Sequence, residues 1–407
     1  MNIRNAVIGE YANFGYLGVD RQGQRTIQTT IDMNQNTGHT RPTIRQVLHD
    51  SPWTNFEEHL NDLKERVDNS VKKTNELRIR YREELMKTNP ELVNKITRPS
   101  SEKLEAAKNL LLTGTVAASD GTISHVPLLG GSKIQVGVVI VFNKGEIVDY
   151  ITKIFEAEIT QDTGNAFAYF QSLRGTRKIS NLLARAIMLY GERRLLLDHQ
   201  ADWRLIHGEI LPHELRTGAG RPQDNLQPAF DLVYELLEKK NFIAASEASD
   251  DIDILNAAIL LEPGEYIVIK DLTNVLSQFL DGDDIQAGAN FAQNDKQRFR
   301  DFIQRVGQQI SIVLVKAGNK PFLLECHTDH IEEAVSLFLA DSLWTRGFEI
   351  EGSSLTVRGF PYHIDLADQI ARTLIKGSEF QAFVESRLFD IGIESGFFDI
   401  DPRQTRV

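Results

Sequence analysis

The stretch Thr115–Asp149, TVAASDGTISHVPLLGGSKIQVGVVIVFNKGEIVD, decides how the chain is read. It opens with a short apolar run, Val116 to Ala118, that ends on Asp120-Gly121. Such a pair commonly marks a turn, because aspartate bonds its own backbone. A long strand is then expected from Ile134 to Phe142, with Ile134, Val136, Val138, Ile140 and Phe142 alternating onto one face. Asn143-Lys144-Gly145 is a turn signal, and Glu146 to Tyr150 resumes a β-branched, extended run. The expectation is a meander of three antiparallel strands with a carboxylate at the end of the first.

Downstream the periodicity changes. Thr176 to about Leu197 reads as a helix, with Ile179, Leu182, Leu183, Ala186, Ile187 and Tyr190 near one side, and it carries Glu192. An apolar run, Trp203 to Ile206, ends on His207-Gly208, and a proline- and glycine-rich loop fills 212–222. A helix from Pro228 to Lys240 and a strand from Phe242 to Ala245 follow. Later come a strand at Tyr266 to Lys270, a hairpin of Ser311–Lys316 with Pro321–Cys326, and helices at His330–Leu343 and Asp365–Ile375. Three antiparallel strands followed by helix, strand, helix, strand is the order of an RNase H-like α/β fold with a mixed sheet. Here it carries a helical N-terminal extension and C-terminal α+β additions. An acid on the first strand, an acid on the first core helix and a further ligand type ending the fourth strand suit Mg²⁺ or Mn²⁺. These hard cations take oxygen ligands and keep positions open for phosphate and water.

Four places resemble the NurA family of DNA end-processing nucleases, in that family's order. They are Ala118-Ser119-Asp120-Gly121-Thr122, the Tyr190-Gly191-Glu192 helix, Leu205-Ile206-His207-Gly208-Glu209-Ile210-Leu211-Pro212, and Arg358-Gly359-Phe360-Pro361-Tyr362 followed by Ala367-Asp368. The resemblance implies a metal-dependent deoxyribonuclease with the RNase H-like fold. It places metal ligands at Asp120, Glu192 and His207, and Asp368 with them in catalysis. It also implies a homodimer working with a HerA-type hexameric ATPase, a translocase, in DNA repair or in defence against foreign DNA. The chain departs from the family at three positions. Many relatives carry aspartate at His207, histidine at Asp368 and tyrosine at Phe360. Imidazole suits Mn²⁺ better than Mg²⁺, so Mn²⁺ is the expected preference. The alternatives are that Glu209 or Asp202 replaces His207, or that the site is weakened.

Each residue also has a plainer reading. Asp120 can be a turn aspartate and Glu192 a surface acid paired with Arg193, worth little to stability. His207 can be a hydrogen-bonded structural residue, and Phe360 is expected in the core. The cations Arg174, Arg177, Lys178 and Arg185, with Arg193 and Arg194, form a patch for DNA phosphates or a solvated helix face paired with acids. His327 and His330 near Glu325 and Cys326 match no structural zinc spacing. Gly130-Gly131 and Gly218-Ala219-Gly220 lack the lysine and hydroxyl of a phosphate-binding loop.

The 407 residues carry a net charge of −12, which argues against a protein that coats nucleic acid but not against one with a local basic patch. No apolar run is long enough to span a membrane. The opening MNIRNAVIGEY has no signal pattern, and the single cysteine, Cys326, suits a reducing compartment. A cytoplasmic protein with no membrane contact is the expectation. Three regions are expected: an arm over 1–50, a helical extension over 51–112 and the nuclease domain over 113–400. The extension opens with a capping box, Thr54 and Glu57. Phe56, Leu60, Leu63, Val67, Val71, Thr74, Leu77, Tyr81 and Leu85 then recur at helical spacing. Two other classes compete with the enzyme: a non-catalytic binding subunit of the same fold, and an α/β interaction protein organised by the 54–85 helix.

Overall fold

In a computed structural model of the chain, the residues described are 43–50, 56–128, 131–142, 147–156, 164–247, 252–281, 291–318, 320–344, 360–375 and 377–392. Residues 1–42 of the expected arm over 1–50, the capping residue Thr54, the turn at Asn143 and the pair Arg358-Gly359 lie outside them. The chain divides into two compact units, Met1–Lys87 and Thr88–Val407. The first holds the short helix α1 (Ile44–Asp50) and nearly all of α2 (Phe56–Thr88), which the apolar spacing predicted.

The second unit opens with α3 (Pro90–Val93) and α4 (Ser101–Thr113). The Ser100 hydroxyl caps α4 by accepting from the Lys103 amide at 3.3 Å, and Gly114 ends it in the left-handed region at φ 76°. Strands β1 (Val116–Leu128), β2 (Gly131–Phe142) and β3 (Ile147–Glu156) form the expected antiparallel meander. The long helix α5 (Ala166–Asp198) leads to β4 (Trp203–His207), α6 (His213–Arg216), α7 (Pro222–Lys239) and β5 (Phe242–Glu247). Then come α8 (Ile252–Leu260), β6 (Glu265–Asp271), α9 (Leu272–Asp281) and α10 (Gln293–Val306). The hairpin β7 (Ile310–Lys316) and β8 (Pro321–His327) follows, with α11 (Ile331–Trp344), α12 (Tyr362–Leu374) and α13 (Gly377–Asp390) closing the described chain.

The eight strands form one open mixed sheet in the order β3-β2-β1-β4-β5-β8-β7-β6. Strands β1, β4 and β5 run parallel, and the remaining pairings are antiparallel. Both faces of the sheet are covered, so its central strands are apolar on both sides. Ile134, Val136, Val138 and Ile140 join Leu196, Phe230, Leu236, Phe299 and Phe302 from α5, α7 and α10 in one core. Val116, Ala118, Val139, Val141, Leu205 and Ile243 join Leu111, Phe338, Ile364 and Ala367 from α4, α11 and α12 in the other. Among the described residues no helix is long and apolar enough to cross a membrane.

Three boundaries differ from the sequence expectation. Asp120-Gly121 is not a turn ending the first strand: β1 runs through it, pairing Asp120 with Val139 and Gly121 with Val138. The ladder to β2 overrides the local turn preference of the pair. Helix α5 begins ten residues before Thr176, where the Asn165 side chain accepts from the Ala168 amide at 3.1 Å. Helix α7 begins at Pro222, which occupies the first turn, where its missing N–H costs nothing.

Candidate active site

Parallel pairing of β1 with β4 stops at Ser119 and Ile206. The next residues in each strand are Asp120 and His207, so the two side chains meet where the parallel pairing ends, at the carboxyl end of β4 beside the middle of β1. Sheets of this kind commonly bind ligands at such ends. His207 Nδ1 lies 2.9 Å from Asp120 Oδ2, and Asp120 is buried while the histidine side chain is half exposed. The other Asp120 oxygen, Oδ1, accepts from the Gly121 amide at 2.7 Å.

Glu192 arrives from α5 on the far side of β1. It is 1% exposed, and its Oε1 has no hydrogen-bond partner. Its approach depends on Gly121. A Cβ built there would stand 2.5 Å from Met188 Cγ and 2.9 Å from Glu192 Oε1. The Ser119 hydroxyl donates to the Glu192 carbonyl at 3.0 Å and ties α5 to β1 beside the pair. Burial, and then the charge of Asp120, push the Glu192 carboxyl up to about 8, against the opposing pull of Arg193 and His207. His207 is raised as well, chiefly by its hydrogen bond to Asp120, with the charges of Glu192 and Asp368 adding to it.

Helix α12 brings Asp368 to the same place. Its carboxylate is partly exposed, accepts from Arg372 Nε at 2.8 Å, and is close enough for its charge to act on His207. Phe360 is buried among Phe322 and Phe338, and its ring meets that of His207 edge-on at 5.7 Å. The core expectation for Phe360 agrees with this placement. His363 is buried and bonded through Nδ1 to Asp341 Oδ1 at 2.5 Å, which anchors α12 to α11. Four sequence-distant stretches therefore supply Asp120, Glu192, His207 and Asp368 to one end of the parallel strands.

Neither substitute considered for His207 is placed to serve. Asp202 precedes the opposite end of β4 and is exposed. Glu209 turns away into an ion pair with Arg216. The loop after His207 is gripped by residues to which the sequence reading gave other roles or none. Arg193, fully buried rather than part of a surface patch, donates to the carbonyls of Leu189 at 2.7 Å, Ile210 at 2.9 Å and Glu209. Glu325 on β8 accepts from the Ile210 amide at 2.6 Å, and Arg216 Nε donates to the Leu211 carbonyl at 2.6 Å. The one sequence signal for Arg193 was its place beside Glu192, on the face of α5 turned to the sheet.

The other members of the basic patch divide. Arg194 pairs with Asp198 and Glu235, and Arg185 pairs with Glu214 at 2.8 Å while staying largely exposed. Arg174, Arg177 and Lys178 lie on the first half of α5, where the side chains are outside the described set. Glu325 and Cys326 point to opposite faces of the sheet, so the residues of the rejected zinc reading do not converge. Among the described residues no group of three or more His, Cys, Asp or Glu side chains stands arranged to hold a metal ion. What is present is a buried carboxylate pair with an imidazole bonded to one member.

No protein-family model and no curated protein matches the sequence. Solved structures similar to this one include NurA nucleases. The NurA nuclease from Sulfolobus solfataricus superposes with a TM-score of 0.46 at 11% identity, over 83% of this chain and 98% of that one. A NurA bound to dAMP and manganese gives 0.44 at 12% identity, over 80% and 97%. An endonuclease V from Bacillus subtilis gives 0.29 at 11% identity, over 70% and 92%.

Proposed function

We propose that the chain is a metal-dependent deoxyribonuclease acting on DNA ends. The observation that supports this is convergence. The stretches that resemble the NurA family are scattered between residues 118 and 368, yet their acids and His207 meet where the pairing of β1 with β4 ends. We read β3-β2-β1-β4-β5 as an RNase H-like half-sheet, in which this position is the expected one.

The donor set fits a hard divalent ion. A buried carboxylate oxygen without a hydrogen-bond partner, beside a second carboxylate, lacks the cation that would satisfy it. Asp120 and Glu192 would hold the ion, and His207 would join them as nitrogen donor, which is the reason to expect Mn²⁺ before Mg²⁺. Bound there, the ion supplies an acidified water and neutralises charge at the scissile phosphate. The chain's own residues do the rest. Ser119 fixes the backbone of Glu192, Asp120 and the Phe360 ring orient His207, and Asp368 is the carboxylate whose charge acts on the imidazole from α12. Arg174, Arg177, Lys178 and Arg185 along α5 are the residues proposed to meet the DNA backbone. A homodimer coupled to a HerA-type translocase, in repair or in defence, completes the proposal.

Incubation with linear duplex and single-stranded DNA in Mn²⁺, Mg²⁺ or EDTA, alone and with a HerA-type ATPase, tests it. Cleavage in Mn²⁺ that EDTA and Asp120→Ala abolish is the expected result; no cleavage under any condition with the partner present overturns it. The second reading is a binding subunit of the same fold. It is favoured by His207 Nδ1 being engaged with Asp120 and by Phe360 being enclosed in aromatic core. It predicts assembly with DNA or partner and no metal-supported cleavage.

A further inference from the structure

Helix α5 presents different chemistry on its two sides. Met188 and Glu192 turn to Gly121 on β1, and helical spacing sets Leu183, Ile187 and Tyr190 on the side away from Glu192. There a cavity of about 230 Å³ opens between α5, α6, α7 and Lys153 of β3, the edge strand of the sheet. Ala186, Leu215, Ala219 and Ala229 form its buried wall, with Leu183 and Ile187 half-buried beside them. An apolar cavity of about 150 Å³ is enough to stay dry and take a benzene ring. This one has room for a ring with a short chain attached.

The wall is set by the backbone. Gly218, Ala219 and Gly220 all lie in the left-handed region, at φ 58°, 51° and 81°. Alanine disfavours that region, and such a conformation persists only where its surroundings hold it, as they do beside many bound ligands. Asn225 Nδ2 donates to the Gly218 carbonyl at 2.8 Å and pins the turn to α7. The cavity is therefore formed before anything enters it.

The charge around it is positive. Glu214 is the one acid among the lining residues, and Arg185 pairs with it at 2.8 Å. Lys153 is exposed at the rim and has no acidic partner among the described residues. The Tyr190 hydroxyl bonds to none of them either. We infer that the cavity is a binding site for a small aryl-alkyl carboxylate, whose ring fills the space against Ala186 and Ala229 and whose carboxylate pairs with Lys153. The inference does not rest on the reading of the Asp120 site, and its test reads no nuclease activity.

Three probes with one apolar body test it: phenylbutyrate, phenylbutanol and phenylbutylamine, each titrated calorimetrically into the full-length chain. The acid is expected to bind about threefold to fivefold more tightly than the alcohol, the gain of an exposed ion pair, and the amine more weakly than either. Lys153→Gln is expected to bring the acid to the affinity of the alcohol, and Lys153→Glu to reverse the order of acid and amine. Ala186→Leu fills the cavity and is expected to weaken all three; should it unfold the chain, the exposed Lys153 carries the test alone. No binding of the acid at about 1 mM, where even weak ligands register, overturns the inference. So does binding of the acid that Lys153→Gln leaves unchanged, or that a folded Ala186→Leu leaves unchanged. Equal binding of acid and alcohol also overturns it, and would leave a purely apolar cavity of the kind that a partner protein's side chain fills.

Discussion

Glu192 and Glu325 are both buried carboxylates whose proton affinity is raised, the first to about 8 and the second to about 7, with burial the leading cause in each. Their surroundings differ. Glu325 accepts from the Ile210 amide, and Arg193 and Arg216 oppose its charge while holding the loop that it touches. Glu192 stands beside another acid, Asp120, as Glu325 does beside Glu209, but Arg193 reaches it only at 3.5 Å through Oε2, and its Oε1 has no hydrogen-bond partner. The first cluster is complete as protein alone. The second is arranged so that a cation would complete it, and that contrast separates a structural buried charge from a binding site more clearly than burial does.

The sharpest way to break the contrast is to remove a cation from the complete cluster. Arg193→Gln leaves the Glu209 and Ile210 carbonyls short of donors and Glu325 short of a countercharge. By the usual cost of unpairing a buried charge it should destabilise the protein by about 3–5 kcal/mol. Urea denaturation measures this; a loss under about 1 kcal/mol would mean that Arg193 does not hold the loop.

In the incomplete cluster the largest effect should fall on activity. Asp120→Ala is expected to cut metal-supported cleavage by more than about a hundredfold, since even outer partners of metal ligands cost 10–100-fold, with the unfolding midpoint little changed. Gly121→Ala is the complementary change. Its methyl group would collide with Met188 and Glu192, so α5 must move, and both stability and metal binding should fall. Unaltered metal affinity in Gly121→Ala would separate Glu192 from the site.

How much of this was legible in the sequence follows from where the signals are local. Alternation gave β2, and the apolar run gave β4 with His207 at its end. Asp120-Gly121 looked like a turn because both residues favour one locally, and only pairing with β2 makes it mid-strand. Arg193 looked like a surface cation because three of its partners are main-chain carbonyls, which leave no trace in side-chain chemistry; its pairing with Glu192 was legible, but not the burial of both. Glu325 was unreadable for a similar reason: its partner is the Ile210 amide, 115 residues away.

A smaller effect distinguishes the clusters by pH. Glu192 has a folded-state affinity near 8 against an ordinary value of 4.5. The metal-free folded state therefore binds a proton that the unfolded chain releases, and the stability that this proton supports is lost as pH rises from about 4.5 to 8. Glu192→Gln removes the penalty, so its melting temperature should exceed that of the wild type by a margin that grows across this window. A margin independent of pH would mean that Glu192 is ionised without a metal. Smallest of all, His207→Asp should narrow the preference for Mn²⁺ over Mg²⁺, because carboxylate oxygen suits magnesium better than imidazole does. Equal rates with both ions in the wild type would make His207 a structural partner of Asp120.

The most direct measurement is titration calorimetry of Mn²⁺ into the metal-free protein near pH 7, repeated in buffers of different ionisation enthalpy. Filling the pair must displace the proton that Glu192 holds without metal. The wild type should bind Mn²⁺ with net proton release, more tightly as pH rises, and Asp120→Ala should not bind. Binding without proton release, or equal binding by Asp120→Ala, would contradict the assignment of this pair as a metal site.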